Sequence, residues 1–242
     1  MKIIGILFLV VLPLHAAEIP LLPVRVDTNN QEALQRGARL FMNYCSGCHS
    51  LQYMRYNRMA TDLGLTTFSG AVDVDLLRSN LIFTRANVVD PIRIAMPEVD
   101  ARQWFGRMPP DLSLITRARS PAWVYTYLKS FYADPQRPFG ANNLLVPDLS
   151  MPNVLAPLSG EVVVHSQAGR ATLFRVKDGA MTEAQLNQSL EDLVTFLTYV
   201  ADPGKATRYK IGWIVLPFLF ILLIVVFRLK RNYWKRLHTQ RI

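Results

Sequence analysis

The sequence predicts a mainly α protein: an exported domain with long irregular loops and a small β-hairpin, followed by one transmembrane helix. Three observations predict it. Residues 211–227 carry no charge over 17 positions, and a purely basic segment follows them. Residues 1–17 read as a charged start, an apolar run and a small-residue end. Between the two, helical periodicity is strong near both ends of the domain and weak in its middle.

In chain order, Lys2 precedes an apolar run over residues 3–14 and then Ala16 and Ala17, the layout of a secretory signal peptide cut after one of the two alanines. The run is short for a membrane anchor. The domain that remains, residues 18–203, opens with a helix starting near Gln31 and capped by Asn29 or Asn30. Ala33, Leu34, Leu40 and Phe41 form its apolar stripe. Gly37 costs that helix about 1 kcal/mol against alanine, which points to a close crossing by another helix. Ser120-Pro121 starts a short helix, a cap followed by proline at the first helical position. Residues 161–164 and 171–176 form a hairpin. Thr182-Glu183-Ala184-Gln185 is a capping box, and Leu186, Leu190, Leu193, Val194, Leu197 and Val200 follow at helical spacing as far as Asp202-Pro203.

Residues 204–210 then make a polar stalk. As a helix, residues 211–227 span roughly 26 Å at ~1.5 Å per residue, enough to cross a bilayer with Tyr209 and Trp213 at the interface. Pro217 is tolerated in such a helix. Arg228, Lys230, Arg231, Lys235, Arg236 and Arg241 follow with no acid among them, which places residues 228–242 in the cytoplasm of a bacterium. The domain therefore lies in the periplasm, held to the inner (plasma) membrane by a single pass.

The net charge of +9 reflects this topology. Lys2 and the six tail cations supply seven of those charges, leaving residues 18–210 at +2 with 20 basic and 18 acidic side chains. Such a balance gives no case for nucleic-acid binding.

The chemistry lies in Cys45-Ser46-Gly47-Cys48-His49, directly after the first helix. The spacing C-x-x-C-H reads as an attachment site for one covalent haem c. Two thiols three positions apart each form a thioether to the porphyrin, and His49 lies beneath the iron as its proximal ligand. A thioredoxin-like pair wants a βαβ context, and a zinc site wants two more Cys or His ligands nearby. The chain has two cysteines, and this motif uses both. Helix, C-x-x-C-H, irregular middle and closing helix is the order of a class I cytochrome c-like haem domain, in which the first and last helices cross. Phe41, Phe196 and Tyr199 fit that crossing.

For the sixth iron position, His165 is the one histidine left once His15 goes with the signal and His238 with the tail. Beyond Met1, the methionine candidates are Met42, Met54, Met59, Met96, Met108, Met151 and Met181. Met42 lies too close to the motif to reach the opposite haem face. Met96, Met108 and Met151 each precede a proline, which favours extended backbone able to reach over a haem. Spacing alone does not choose among them.

Residues 45–58 (CSGCHSLQYMRYNR), 109–119 (PPDLSLITRAR), 150–154 (SMPNV) and 196–203, with the C-terminal anchor, resemble the bacterial cytochrome c1 family, the haem c subunit of the cytochrome bc1 complex (ubiquinol:cytochrome c reductase). The resemblance covers most of the mature chain. It implies Met151 as sixth ligand, with Met108 as runner-up, Arg119 at a haem propionate, and Pro109 and Pro110 at the haem edge. It also implies an electron-transfer subunit that is not catalytic alone. That subunit takes electrons from a Rieske iron–sulfur protein, passes them to a cytochrome c acceptor, and sits beside cytochrome b in a dimeric complex. The near-neutral domain lacks the acidic docking run of mitochondrial relatives, so the expectation is either a different acceptor or binding that depends weakly on salt. A free-standing anchored cytochrome c donating to a terminal oxidase shares the signal, motif and anchor, but has no reason to carry PPDLS and RAR. A haem peroxidase needs an open iron position, which methionine ligation would close.

Overall fold

The structure, a computed structural model, describes residues 19–167 and 170–239, so the expected signal peptide lies outside the described residues. In chain order it forms α1 (Gln31–Tyr44), β1 (Leu51–Arg55), α2 (Tyr56–Asp62), α3 (Val74–Asn80), β2 (Pro91–Ile92), α4 (Glu98–Phe105), α5 (Ile115–Ala118) and α6 (Pro121–Lys129). Then come β3 (Phe131–Ala133), β4 (Ala141–Asn143), α7 (Ala156–Ser159), β5 (Glu161–Gln167), β6 (Arg170–Lys177), α8 (Glu183–Ala201) and α9 (Lys205–Thr239). About half of the chain is helical. β1 with β2, β3 with β4 and β5 with β6 form two-stranded antiparallel sheets.

The expected caps are present. Asn30 Oδ1 accepts from the Ala33 N–H at 3.1 Å, while the Asn29 N–H donates to Asp27, so Asn30 is the cap of α1. Ser120 Oγ accepts from the Trp123 N–H to start α6, and Thr182 and Gln185 close a capping box on α8. The hairpin exists with longer strands than its apolar runs suggested, pairing Glu161 with Lys177 at its open end. Its polar and charged positions still pair in the ladder because hairpin register depends on backbone hydrogen bonds more than on composition.

The core is built on the packing of α1 against α8. Ala33, Leu34, Ala38, Phe41 and Met42 on α1 are buried together with Leu190, Leu193, Val194, Phe196 and Leu197 on α8. The Phe41 and Phe196 rings lie 5.9 Å apart and tilted by 48°. Gly37 is the point of closest approach: a Cβ there would land on the backbone carbonyl of Asp192 and 2.7 Å from Phe196 Cβ. Asp192, 3% exposed, is the one acid buried in this seam. Its carboxylate accepts from Arg36 Nε at 2.6 Å and from Gln188 Nε2 at 3.1 Å, which meets the cost of taking it out of water. Tyr199 joins α8 to α2 by donating to Asp62 at 2.7 Å, and Arg58 holds the same carboxylate.

The middle of the domain contains more regular structure than its sequence suggested. α2 to α5 and the first two sheets are short pieces, below the length at which apolar periodicity can be read. The stalk is helical: residues 205–210 are the first turns of α9, and Asp202 accepts two bonds from Arg208 that tie the helix to the end of α8. The Arg208 bonds hold the Asp202 carboxyl below the usual carboxylate range. α9 contains an apolar stretch long enough to cross a membrane, with mean hydropathy 2.6 and none of it buried against the domain.

Candidate haem-binding site

α1 ends at the motif. The Cys45 N–H donates to Phe41 O at 2.8 Å, and the Cys48 and His49 N–H groups both donate to Cys45 O, so residues 45–49 fold as one tight turn. This leaves Cys45 and Cys48 one turn apart, half-buried and not joined in a disulfide. Burial pushes the Cys45 thiol up to about 12, and the Cys48 thiol is raised for the same reason. Among the described residues, no three His, Cys, Asp or Glu side chains converge as a metal cluster.

His49 is buried, and its Nδ1 lies 2.7 Å from the carbonyl oxygen of Pro110. A carbonyl can only accept, so Nδ1 carries the proton and Nε2 keeps its lone pair. Burial lowers the imidazole pKa against the opposing pull of Pro110 and of nearby Asp111, which favours the neutral ring that a metal requires. Backbone oxygen on one ring nitrogen and a free lone pair on the other is the arrangement that orients histidine ligands.

The segment after Pro110 is fastened to the strand after His49. Asp111 accepts from the Gln52 N–H at 2.9 Å and from the Ser113 N–H at 2.9 Å. The Leu112 N–H donates to Ser50 O at 2.9 Å, and the fully buried Ser113 accepts from the Tyr53 N–H at 3.2 Å. Pro110, expected at the haem edge, therefore meets the site through its backbone oxygen. Asp111→Ala removes both carboxylate bonds and is expected to cost about 1–2 kcal/mol. That lowers the melting temperature of the haem-bound protein by roughly 2–8 °C. An unchanged melting curve would show that the carboxylate does not hold the strand.

Arg119, at the end of α5, is exposed and stacks on Trp123 with its Cζ 5.1 Å from the ring centroid. Among the described residues it has no carboxylate partner in any salt bridge, so its charge is available to an anionic group. Trp123 in turn stacks on Tyr127 at 5.3 Å and 7°, and Tyr127 meets Phe131 edge-on at 5.3 Å. The Tyr127 hydroxyl, pushed up to about 12 by burial, donates to Met151 Sδ at 3.3 Å. A row at intervals of four residues thus joins Arg119 to Met151.

The other sixth-ligand candidates are placed differently. Met42, Met54 and Met59 are buried in the core, and Met181 accepts from Ser189 at the start of α8. His165 is exposed on the hairpin with its ring edge-on to Phe174. Met96 and Met108 are half-buried. A separate cavity of about 600 Å³ lies by Pro152 and Asn153, between the hairpin and β3, with none of Cys45, Cys48, His49 or Met151 in its walls. The sequence reading missed Asp111, Ser113, Trp123 and Tyr127. The spacing of four through 119, 123, 127 and 131 was available as a signal, but aromatic rows on a helix are usually core.

Two thiols on one turn, a histidine oriented by a backbone carbonyl, and a methionine bonded to an aromatic row with a stacked arginine at its end fit a covalently held haem, and they define a membrane-anchored c-type cytochrome. A profile of the Cytochrome C1 family matches residues 24–237. The chain is 48% identical over 221 residues to cytochrome c1 of Allochromatium vinosum, covering 88% of each chain. It is 38% identical over 221 residues to a Nitrosomonas europaea protein named ammonia monooxygenase gamma subunit, covering 91% of this chain and 90% of that one. It is also 26% identical over 233 residues to the cytochrome b/c1 of Bradyrhizobium diazoefficiens, covering 85% of this chain and 33% of that protein. The chain belongs to the cytochrome c1 family: it carries one covalently bound haem c and is a membrane-anchored electron-transfer subunit of a bc1-type complex.

Proposed function

We propose that this chain takes single electrons from a Rieske iron–sulfur protein and hands them to a cytochrome c acceptor in the periplasm, within a dimeric complex that contains cytochrome b. Cys45 and Cys48 hold the haem by thioethers, His49 is the proximal ligand, Met151 the sixth ligand, and Arg119 faces a propionate. Pro110 orients His49 through its carbonyl. The crossing of α1 and α8 serves as a class I cytochrome c-like core, the basic tail stays in the cytoplasm, and residues 1–17 are removed on export. The bound haem supplies reversible one-electron storage at its iron.

The chain's own residues position this chemistry. The turn at residues 45–49 brings both thiols and the imidazole into one short segment, and burial of the His49 ring limits its contact with water. The observation that supports the reading is the 2.7 Å contact of His49 Nδ1 with Pro110 O, which leaves the Nε2 lone pair free for a metal to take. Membrane attachment through α9 keeps the domain near its donor, so encounter does not depend on free diffusion.

Visible spectra of membranes given a quinol test the assignment. The c-type band is expected to become reduced when the Rieske protein is present and to stay oxidised in membranes from which that protein has been deleted. Reduction that persists without it would turn the assignment towards a free-standing anchored carrier with another donor.

A further inference from the structure

The candidates for a further role are the cavity beside Pro152, the exposed aromatic cluster of Trp104, Phe105 and Phe139, and the hydrogen bond onto Met151. The cavity holds no convergent set of reactive groups, and nothing indicates what would cover the aromatic cluster. The hydrogen bond carries a defined consequence.

We propose that Tyr127 is a positioning residue that sets the reduction potential of this cytochrome by donating its hydroxyl hydrogen to the sulfur of Met151. The inference rests on the reading of Met151 as iron ligand.

A thioether sulfur has two lone pairs. If one binds iron, the other is free to accept a hydrogen bond. Tyr127 Oη lies 3.3 Å from Met151 Sδ, within range for a sulfur acceptor. The phenol ring is held on both faces of its environment, stacked on Trp123 at 5.3 Å and edge-on to Phe131 at 5.3 Å. Its backbone is held too, because Tyr127 O accepts from the fully buried Asn143 at 2.8 Å. A donor fixed in this way draws electron density from the sulfur and makes it a weaker ligand. The positive end of the O–H dipole beside the sulfur opposes the extra positive charge of ferric iron more than it opposes ferrous iron, so the hydrogen bond favours the reduced form and raises the potential. The same bond selects which lone pair of Met151 is available to the metal.

The test uses the full chain in its membrane-bound complex, with Tyr127→Phe, Met151→Leu and a fluorinated tyrosine placed at position 127. Potentiometric titration gives the potential, and the far-red charge-transfer band of ferric iron bound to methionine reports ligation. A hydrogen bond worth about 0.5–1.5 kcal/mol corresponds to a roughly two- to thirteenfold change in the reduction equilibrium, with tenfold equal to about 59 mV for one electron. Tyr127→Phe is expected to keep the charge-transfer band and shift the equilibrium by that factor towards the ferric form. Fluorotyrosine, a stronger donor while protonated at about pH 6, is expected to shift it the other way, a change of sign that altered packing would not produce.

A potential unchanged or raised in Tyr127→Phe with the band intact overturns the proposal. Loss of the band in Tyr127→Phe also overturns it, since the tyrosine would then support ligation itself. If Tyr127→Phe fails to fold, the fluorotyrosine protein decides alone: an unchanged or lowered potential there overturns the proposal. Met151→Leu separates the two levels: an intact band and potential in that variant would remove Met151 as ligand, whatever Tyr127 does.

Discussion

Met151→Leu is expected to leave the haem attached, lower its potential by on the order of a few hundred mV and open the ferrous iron to carbon monoxide. Attachment survives because the proposed thioethers are made by Cys45 and Cys48 and do not involve Met151. The potential falls because a thioether favours ferrous iron, and axial ligands set haem potentials over a range of ~0.8 V. Leucine fills nearly the same volume, so the segment at residues 150–154 should fold as before. Potentiometric titration and a carbon monoxide difference spectrum read the two effects. A potential equal to the parent's would move the sixth ligand to Met108 or His165. Of these, Met108 is half-buried, whereas His165 lies exposed on the hairpin.

Gly37→Ala has the second-largest expected effect, and its sign opposes helix propensity. In an isolated helix the alanine would gain about 1 kcal/mol. Here its methyl would fall on the Asp192 carbonyl and 2.7 Å from Phe196 Cβ. The obstructing oxygen is backbone within α8 and cannot swing aside as a side chain could, so the two helices must separate. Overpacking of this kind costs about 1–3 kcal/mol or more, enough to outweigh the propensity gain. A net loss of about 2 kcal/mol would lower the melting temperature by roughly 4–8 °C. Separation also moves the end of α1, where Cys45 begins the attachment turn, so the share of chains carrying covalent haem should fall as well. A variant that melts with the parent would show that the crossing has room to spare.

Both predictions use residues of which one half was readable in advance. Gly37 stood out because a glycine in the middle of a strong helix asks for a reason, yet the partner that supplies the reason, Asp192 on α8, is 155 positions away. A buried aspartate in a helix that otherwise shows an apolar stripe gives no warning from its neighbours. Its role depends on Arg36 meeting it across the crossing. The PPDLS segment is similar. Its resemblance pointed to the haem, and the atoms that pair with residues 49–53 are the Pro110 carbonyl, the Asp111 carboxylate and the Ser113 hydroxyl. Side-chain identity said little about Pro110 because its contribution is a backbone oxygen that any residue would possess.

By itself, the sequence determined the covalent haem motif, the long first and last helices of the domain with their caps, the hairpin and the apolar anchor. All of these rest on local rules, in which spacing along the chain equals spacing on one turn, one face or one membrane thickness. Only the tertiary structure decided which carbonyl orients His49, which residue of α8 meets Gly37, and which hydroxyl reaches the Met151 sulfur. Those pairs join positions between 24 and 155 residues apart. Contacts over such distances arise when packing brings separate elements together, and hydrophobic periodicity reports which face of an element is buried without naming what it is buried against.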